Sequence, residues 1–183
     1  TGLDLSDKMI RLAQKKSPNC QFFRADMRDF TLTKTVESAI VTARTISYLL
    51  TNKDVNNAFH SIASNLKQGG ILCFDIIDAN RFVPMISDES KIIHKANYND
   101  IAYVRKSDWK LNLTNGIDFL WDATYYKKED NKLIEIGQDH SNLRTFTVNE
   151  IEIFLFINGF KIKEIIDRPS YFFPTYVFVA EKL

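Results

Sequence analysis

The segment spanning residues 54–78 constrains the fold of this chain more than any other. Between Asp54 and Leu66, apolar residues recur at steps of three and four, which predicts a helix with one buried face. A Gly-Gly pair follows, and residues 71–74 then form an unbroken apolar run, typical of a strand that is buried on both faces. Helix, glycine pair and strand make one unit of a parallel α/β sheet, in which ligands bind beyond the carboxyl ends of the strands. Asp75 and Asp78, which follow the run, are therefore predicted to lie near the site of chemistry.

The residues before this segment predict further elements of the same sheet. Residues 1–5 have the pattern of the end of a strand, and Ser6 is a candidate N-cap for a helix behind it. Residues 20–23 and 38–42 predict two more short strands.

The pattern changes after Asp78. Residues 79–89 contain Pro84 and are predicted to be irregular. Strand-like segments joined by turns then predict an antiparallel β insert. The clearest turn signal is Thr-Asn-Gly at residues 114–116, because Asn-Gly tolerates a positive φ, and a charged turn is predicted at residues 128–131. The strand-like segments are residues 101–106, 109–113, 117–126 and 133–137.

The last part of the chain returns to the sheet. Thr147 and Glu150 have the spacing of a capping box, which predicts a helix that ends at Gly159. Residues 160–166 and 176–180 predict two strands with no helix between them, so the two strands should pair antiparallel.

Composition excludes several classes of function. A chain of 183 residues with 45% hydrophobic residues suits one domain with an inserted subdomain. Its net charge of +1 gives no support for nucleic-acid binding, and no apolar run approaches the length of a membrane span. Cys20 and Cys73 have no ligand spacing and imply no disulfide framework, so we predict a cytoplasmic protein without a metal.

Two acids follow successive predicted strands. Asp4 stands where a carboxylate could accept hydrogen bonds from a ribose diol, although it could equally complement the dipole of the next helix. Asp26 would lie beside it if the two strands are neighbours; taken alone, it reads as an ordinary loop acid.

Five stretches of the chain, in order, resemble class I S-adenosylmethionine-dependent methyltransferases. The stretches are GLDLSDKMIRLAQKK, FFRADMRDF, IVTARTISYLLTNKDVNNAFHSIASNLKQGGILCFDIID, LRTFTVNEIEIFLFINGFKIKEI and YVFVAEK. Within that family, the chain is most similar to small-molecule N-methyltransferases, such as those acting on glycine and aminosugars. The chain departs from the family in having no GxGxG motif, so we expect an N-terminally truncated sequence that lacks the first strand and its Gly-rich loop.

The resemblance implies a Rossmann-like, mostly parallel α/β sheet with an antiparallel last strand and an antiparallel β insert after the fifth strand. Residues 1–81 would form the cofactor-binding core and residues 82–144 the insert, which would bind the acceptor or act as a lid. Residues 145–183 would complete the core sheet.

The resemblance also assigns cofactor contacts. Asp4 with Leu5 would bind the ribose of S-adenosylmethionine. Asp26 would accept from the adenine amino group, and Met27 would cover the adenine ring. The exit of the fourth strand would line the methionine half of the cofactor, through Thr42, Ala43 and Arg44.

Acceptor contacts are expected from the insert and the late loops. Ser47 and Tyr48 would lie at the mouth of the pocket, and Asp75 would frame it. His140 could take a proton, or it could be a surface histidine. Arg144 could clamp an acceptor carboxylate, or it could be an ion-paired arginine. Trp121, Tyr125 and Tyr176 could contact an amine by cation–π interaction or simply pack in the core. Tyr48 and His140 are the candidate catalytic residues.

The leading hypothesis is methyl transfer to a small molecule, by a narrow margin to an amine, through in-line displacement that depends on positioning. One alternative is a methyltransferase-like binding module without activity, and another is a nicotinamide-dependent oxidoreductase, which would also use an acid on its second strand. Either a monomer or a homodimer fits the sequence.

Overall fold

The computed structural model describes residues 1–88, 91–113, 117–130, 132–169 and 173–183. The helices are α1 (Asp7–Lys16), α2 (Asn52–Asn65), α3 (Ala79–Asp88) and α4 (Val148–Ile157). The strands are β1 (Gly2–Asp4), β2 (Phe22–Arg24), β3 (Val36–Val41), β4 (Leu66–Ile77), β5 (Lys91–Tyr98), β6 (Ile101–Asn112), β7 (Asp118–Glu129), β8 (Lys132–Arg144), β9 (Phe160–Arg168) and β10 (Thr175–Lys182).

The described strands form three sheets. A parallel pair joins β1 to β2, a four-stranded sheet has the order β3-β4-β10-β9, and a second four-stranded sheet has the order β5-β6-β7-β8. In the first four-stranded sheet, β3 and β4 run parallel, whereas β10 is antiparallel to both β4 and β9. The predicted class, an α/β sheet with an antiparallel last strand and an antiparallel insert, is confirmed.

Helix α2 and strand β4 form the centre of the main core. The predicted apolar face of α2 is buried, with Val55 and Phe59 fully inaccessible. Phe59 meets Phe74 of β4 edge-on at 5.2 Å between ring centroids, and Phe74 stacks on Phe178 of β10 at the same distance. The core thus joins the helix, the central strand and the last strand into one unit.

Helix α1 is buried much less than its pattern predicts. Ser6 caps it as expected, because the Ser6 hydroxyl accepts from the Met9 amide at 3.4 Å. Of its apolar residues only Ile10 is buried, and Met9 and Leu12 are exposed by 52% and 44%. The physical reason is that α1 packs on the two short strands β1 and β2, which offer little surface to cover it.

The insert is a more regular meander than the sequence suggests. The two segments predicted at residues 101–106 and 109–113 are one continuous strand, β6, and β5 was not among the predicted strands. Strands β6, β7 and β8 pair antiparallel in sequence order, as expected. The predicted Thr-Asn-Gly turn at 114–116 lies outside the described residues, as does the last residue of the turn at 128–131.

The prediction that residues 79–89 are irregular is wrong, because Ala79–Asp88 is helix α3 despite Pro84 within it. Tertiary packing overrides the proline. Phe82 of α3 is fully buried, with its ring 5.3 Å from that of Trp109 and 4.7 Å from that of Phe119.

The insert is attached to the main sheet where the chain leaves and rejoins it. The Phe146 amide donates to the Ile77 carbonyl at 3.0 Å, and the Ala79 amide donates to the Phe146 carbonyl at 2.9 Å. Two buried apolar clusters lie on either side of this junction, one around Phe59, Phe74 and Phe178 and one around Phe82 and its neighbours in the insert. These clusters support the division at residues 81 and 144, which we retain as a proposal.

The carboxyl-terminal elements match their prediction. The Thr147 hydroxyl accepts from the Glu150 amide at 3.2 Å, and the Thr147 amide donates to the Glu150 carboxylate at 2.9 Å, so both halves of the capping box form. Gly159 ends the helix with a φ of 74°. No helix in the described part of the chain has the length and apolarity needed to cross a bilayer.

Candidate functional site

A cavity of about 910 Å³ lies between the main sheet and the insert. One wall is the carboxyl end of β3 and β4, and it includes Thr42, Ala43, Arg44 and Asp75. The opposite wall comes from the insert, and Tyr48 belongs to the short 3₁₀ turn beside it. The cavity therefore occupies the edge of the sheet where parallel α/β proteins bind ligands.

The chain makes a strained turn where it leaves β3. Ala43 and Arg44 are consecutive residues with φ values of 61° and 58°. Each costs on the order of 1–2 kcal/mol for a residue with a Cβ atom, so surrounding contacts must hold them. The Asp75 carboxylate accepts from the Arg44 amide at 2.8 Å, and the Thr45 hydroxyl donates to the Thr42 carbonyl at 2.6 Å. Asp75 on β4 thus fixes the shape of this cavity wall.

The insert contributes a positioned arginine. Arg105 on β6 lies opposite His94 on β5 in the strand register, and its Nη2 is 3.1 Å from His94 Nδ1. Because a guanidinium can only donate, Nδ1 is the acceptor and a neutral His94 carries its proton on Nε2. Burial, followed by the charge of Arg105, lowers the pKa of His94, which keeps the imidazole neutral. The Arg105 guanidinium also lies 5.2 Å from the centre of the Trp121 ring.

Two side chains of the 3₁₀ turn Thr45–Tyr48 face the cavity. Burial, with the negative charge of Asp139 as a second cause, raises the pKa of the Tyr48 phenol, which a hydrogen bond with Ser141 partly offsets. The Tyr48 phenol therefore stays protonated at neutral pH. The Ser47 hydroxyl is fully buried at the cavity wall and has no hydrogen-bond partner among the described residues.

Seven of the predicted site residues line the cavity together: Thr42, Ala43, Arg44, Ser47, Tyr48, Asp75 and Trp121. Sequence reasoning missed Arg105, Arg168 and Phe173, which also line it. Recognising β5 would have helped, since its register places His94 and Arg105 side by side, but no motif pointed to Arg168 or Phe173.

The residues predicted for the ribose and the adenine lie outside the cavity lining. Asp4 ends β1 and accepts from the Ser6 amide at 2.7 Å. Asp26 follows β2, and because β1 and β2 are parallel neighbours, both acids belong to the same edge of that pair. Leu5 is exposed and Met27 packs against the main core. The cofactor roles of these four residues stay predictions.

Arg28 already engages the carboxylate of Asp26. Its Nε lies 3.0 Å from each Asp26 oxygen, and its Nη2 lies 2.6 Å from one of them. This side-chain hydrogen bonding is the largest cause that lowers the pKa of Asp26. Arg28 also donates to Asp54 at 2.8 Å, which ties the acid to the first turn of α2.

The other predicted acceptor residues do not line the cavity. His140 is exposed on β8, with Nδ1 2.7 Å from the Asp122 carboxylate. Arg144 is buried and joins the insert to α2 and α4 by donating to Asn52 at 2.7 Å and Glu150 at 3.0 Å.

The two tyrosines predicted to contact the acceptor also lie outside the cavity lining. Tyr176 packs beneath the Arg81 guanidinium at 4.3 Å, and Tyr125 lies near Tyr48. Their proposed roles, with those of His140 and Arg144, stay predictions.

Comparisons with known proteins agree on one class. Residues 1–70 match a family model described as a methyltransferase domain. Over 173 residues the chain is 28% identical to YqeM of Bacillus subtilis (strain 168), a candidate methyltransferase, and it spans 66% of the length of that relative. A shorter match of 71 residues, 39% of this chain and 30% of the relative, is 32% identical to dTDP-3-amino-3,4,6-trideoxy-alpha-D-glucopyranose N,N-dimethyltransferase of Streptomyces venezuelae.

A solved structure shows that the fold extends over the whole chain. CalS10, an amino pentose methyltransferase of Micromonospora echinaspora determined with bound S-adenosylmethionine, matches with a TM-score of 0.82 at 18% sequence identity. The match covers 100% of this chain and 73% of that one. The family model matches the first 70 residues and the whole chain shares this fold, so the resemblance to class I S-adenosylmethionine-dependent methyltransferases that the sequence predicts is confirmed.

Proposed function

We propose that this protein transfers a methyl group from S-adenosylmethionine to the amine of a small molecule bound in the cavity. The observation that carries the proposal is the cavity itself, which opens at the carboxyl ends of β3 and β4 and is closed on its other side by the insert. Two relatives support an amine acceptor, one named as an N,N-dimethyltransferase and one as an amino pentose methyltransferase.

Cofactor binding would divide between two parts of the chain. Asp4 with Leu5 would hold the ribose, and Asp26 with Met27 would hold the adenine. The strained turn Thr42–Ala43–Arg44 would line the methionine half. The Ser47 hydroxyl beside it, which has no partner in the described ranges, would suit a polar ligand group. Since Arg28 occupies Asp26 from one side, the adenine amino group would share an already bonded carboxylate.

When bound, the cofactor supplies a methyl group already activated on a sulfonium. The task of the chain is then to hold the acceptor nitrogen in line, which supplies most of the acceleration in reactions of this kind. Tyr48, as a protonated phenol, would orient the amine, and the Trp121 and Phe173 rings would favour positive charge in the cavity. An amine that arrives neutral needs no base to attack the methyl group. The proton that the methylated amine then loses would pass to solvent. His140 stays the candidate side chain to accept it.

The test is calorimetric titration of the full-length protein with S-adenosylhomocysteine, comparing Asp4→Ala with Asp7→Ala. We expect binding by the wild type and a loss of about tenfold or more in Asp4→Ala, which corresponds to the ~1.4 kcal/mol of a charge-assisted hydrogen bond. Asp7 is the matched control, since within the described part of the chain it forms a single ion pair, an exposed one with Arg24 at 3.3 Å. A folded full-length sample that gives no heat with either S-adenosylmethionine or S-adenosylhomocysteine would overturn the proposal.

Partners and location follow the same proposal. We infer a cytoplasmic enzyme, monomer or homodimer, that acts without nucleic acid. Two free cysteines, Cys20 exposed and Cys73 partly buried, fit a reducing compartment.

A further inference from the structure

The cavity has an excess of positive charge that methyl transfer to an amine does not require. Arg44, Arg105 and Arg168 line it, and Asp75 is the only carboxylate among its described lining residues. The Asp75 carboxylate is itself buried and bonded to the Arg44 amide. A positively charged product of methylation would be repelled by Arg105 and Arg168 unless the rest of the acceptor compensated them.

The charges of Arg105 and Arg168 contrast with those of four other arginines. Arg24, Arg28, Arg81 and Arg144 each form an ion pair with a carboxylate, at 2.6–3.3 Å. Among the described residues, no carboxylate forms such a pair with Arg105 or Arg168. Both side chains line the cavity, so a ligand there would meet two arginines whose charges the described residues do not balance.

Arg105 is also held in place for binding. Neutral His94 accepts from its Nη2, and the guanidinium carbon lies over the Trp121 ring, 5.2 Å from its centre. These contacts reduce the rotamer freedom that a free arginine would lose on binding. A planar guanidinium is suited to two parallel hydrogen bonds with a carboxylate or a phosphate.

We propose that the acceptor carries an anionic group, a carboxylate or a phosphate, that Arg105 binds with a second positive charge from Arg168. The amine would then point across the cavity towards the turn Thr42–Ala43–Arg44. This inference rests on the proposed function and adds the substrate class to it. It also moves the predicted acceptor clamp from Arg144, which is committed to Asn52 and Glu150, to the cavity.

The test is calorimetry on the full-length protein already saturated with S-adenosylhomocysteine. Pyrophosphate is titrated into one sample and malonate into another. We expect Arg105→Gln to lower the affinity for the anion by about tenfold or more, the range for loss of a charge-assisted hydrogen bond. Arg168→Gln should lower the affinity by a smaller factor. Arg105→Lys should bind with intermediate affinity, because it keeps the charge and loses the two-pronged geometry. Arg11→Gln on α1 is the matched control and should leave anion binding unchanged.

The outcomes separate the two proposals and the two anion classes. Preference for pyrophosphate identifies a phosphorylated acceptor, and preference for malonate identifies a carboxylated one. The inference is overturned if neither anion binds, or if Arg11→Gln weakens binding as much as Arg105→Gln. It is also overturned if Arg105→Gln lowers the affinity for S-adenosylhomocysteine but not for methylthioadenosine, which lacks the carboxylate. The arginine would then bind the carboxylate of the cofactor. Failure of the wild type to bind S-adenosylhomocysteine refutes the proposed function instead.

Discussion

The two parts of the molecule proposed to hold the cofactor differ sharply in packing. The pair β1–β2 with α1 buries a single residue of its helix, Ile10, whereas α2 buries most of its apolar face against the four-stranded sheet. The ribose and adenine contacts are proposed on the first part and the methyl-transfer contacts on the second. Cofactor affinity would therefore depend on a weakly packed region, while the geometry of the reaction depends on a rigid one.

The largest test of this difference compares Phe74→Ala with Leu12→Ala. Phe74 is 1% exposed and contacts the rings of Phe59 and Phe178, so its truncation should cost about 3–5 kcal/mol of unfolding free energy. Leu12 on α1 is 44% exposed, and its truncation should cost less than about 1 kcal/mol. Urea denaturation followed by circular dichroism measures both, and similar losses in the two variants would contradict the contrast.

The helix caps provide a smaller test of the same contrast. Thr147 caps α4 with both halves of a capping box, so Thr147→Ala should cost about 1 kcal/mol. Ser6 caps α1 with one exposed hydrogen bond of 3.4 Å, so Ser6→Ala should cost a few tenths of that, on the order of 0.3 kcal/mol. Thermal unfolding of both variants decides the order, and a larger effect at Ser6 would show that α1 is better packed than its exposure indicates.

A third test, also with small effects, concerns two aspartates with opposite pKa shifts. Burial raises the pKa of Asp118, which has no hydrogen-bond partner among the described residues, whereas Arg28 lowers that of Asp26. A carboxyl group whose pKa is raised by folding stabilises the fold below its unfolded-state pKa, and this stabilisation is lost as the pH rises through its folded-state pKa. A carboxyl group whose pKa is lowered by folding stabilises the fold above its unfolded-state pKa, and this stabilisation is lost as the pH falls through its folded-state pKa.

The pH dependence of two variants separates these signs. Asp118→Asn should raise the unfolding free energy at pH 7 by roughly 0.5–1 kcal/mol, and the gain should disappear towards pH 3. Asp26→Asn should lower the unfolding free energy at pH 7 by less than about 1 kcal/mol, the range of exposed ion pairs. This loss should also disappear in acid. Denaturation from pH 3 to 8 measures both, and a destabilised Asp118→Asn at pH 7 would mean that its charge is compensated.

Local patterns in the sequence predicted the elements whose cause is local. The apolar spacing of α2 and the Thr147–Glu150 capping box depend on residues within two or three turns of each other, and both form. The class of the fold followed from five such stretches in order. Helix α3 could not be predicted in the same way, because Phe82 is held by Trp109 and Phe119 of the insert, which are distant in sequence.

The site was more predictable on the wall formed by the main sheet than on the wall formed by the insert. Thr42, Ala43 and Arg44 follow a recognisable strand, so their place in the cavity could be read from the resemblance. Arg105 and Arg168 reach the cavity through the register of β5 with β6 and of β9 with β10, which depends on sheet pairing rather than on any short motif. Arg144 was predicted as an acceptor clamp or an ion-paired arginine; it is buried and bonded to Asn52 and Glu150, and its acceptor role stays a prediction.

The left-handed turn at Ala43 and Arg44 has a consequence for engineering new specificity. A β-branched side chain at either position would add steric strain to a backbone turn that hydrogen bonds of Asp75 and Thr45 help to hold. Libraries that vary these residues would mainly yield misfolded turns. The regular strands of the insert place no such demand on Arg105 or Trp121, so diversity introduced there would change the proposed acceptor site while the backbone of the turn is conserved.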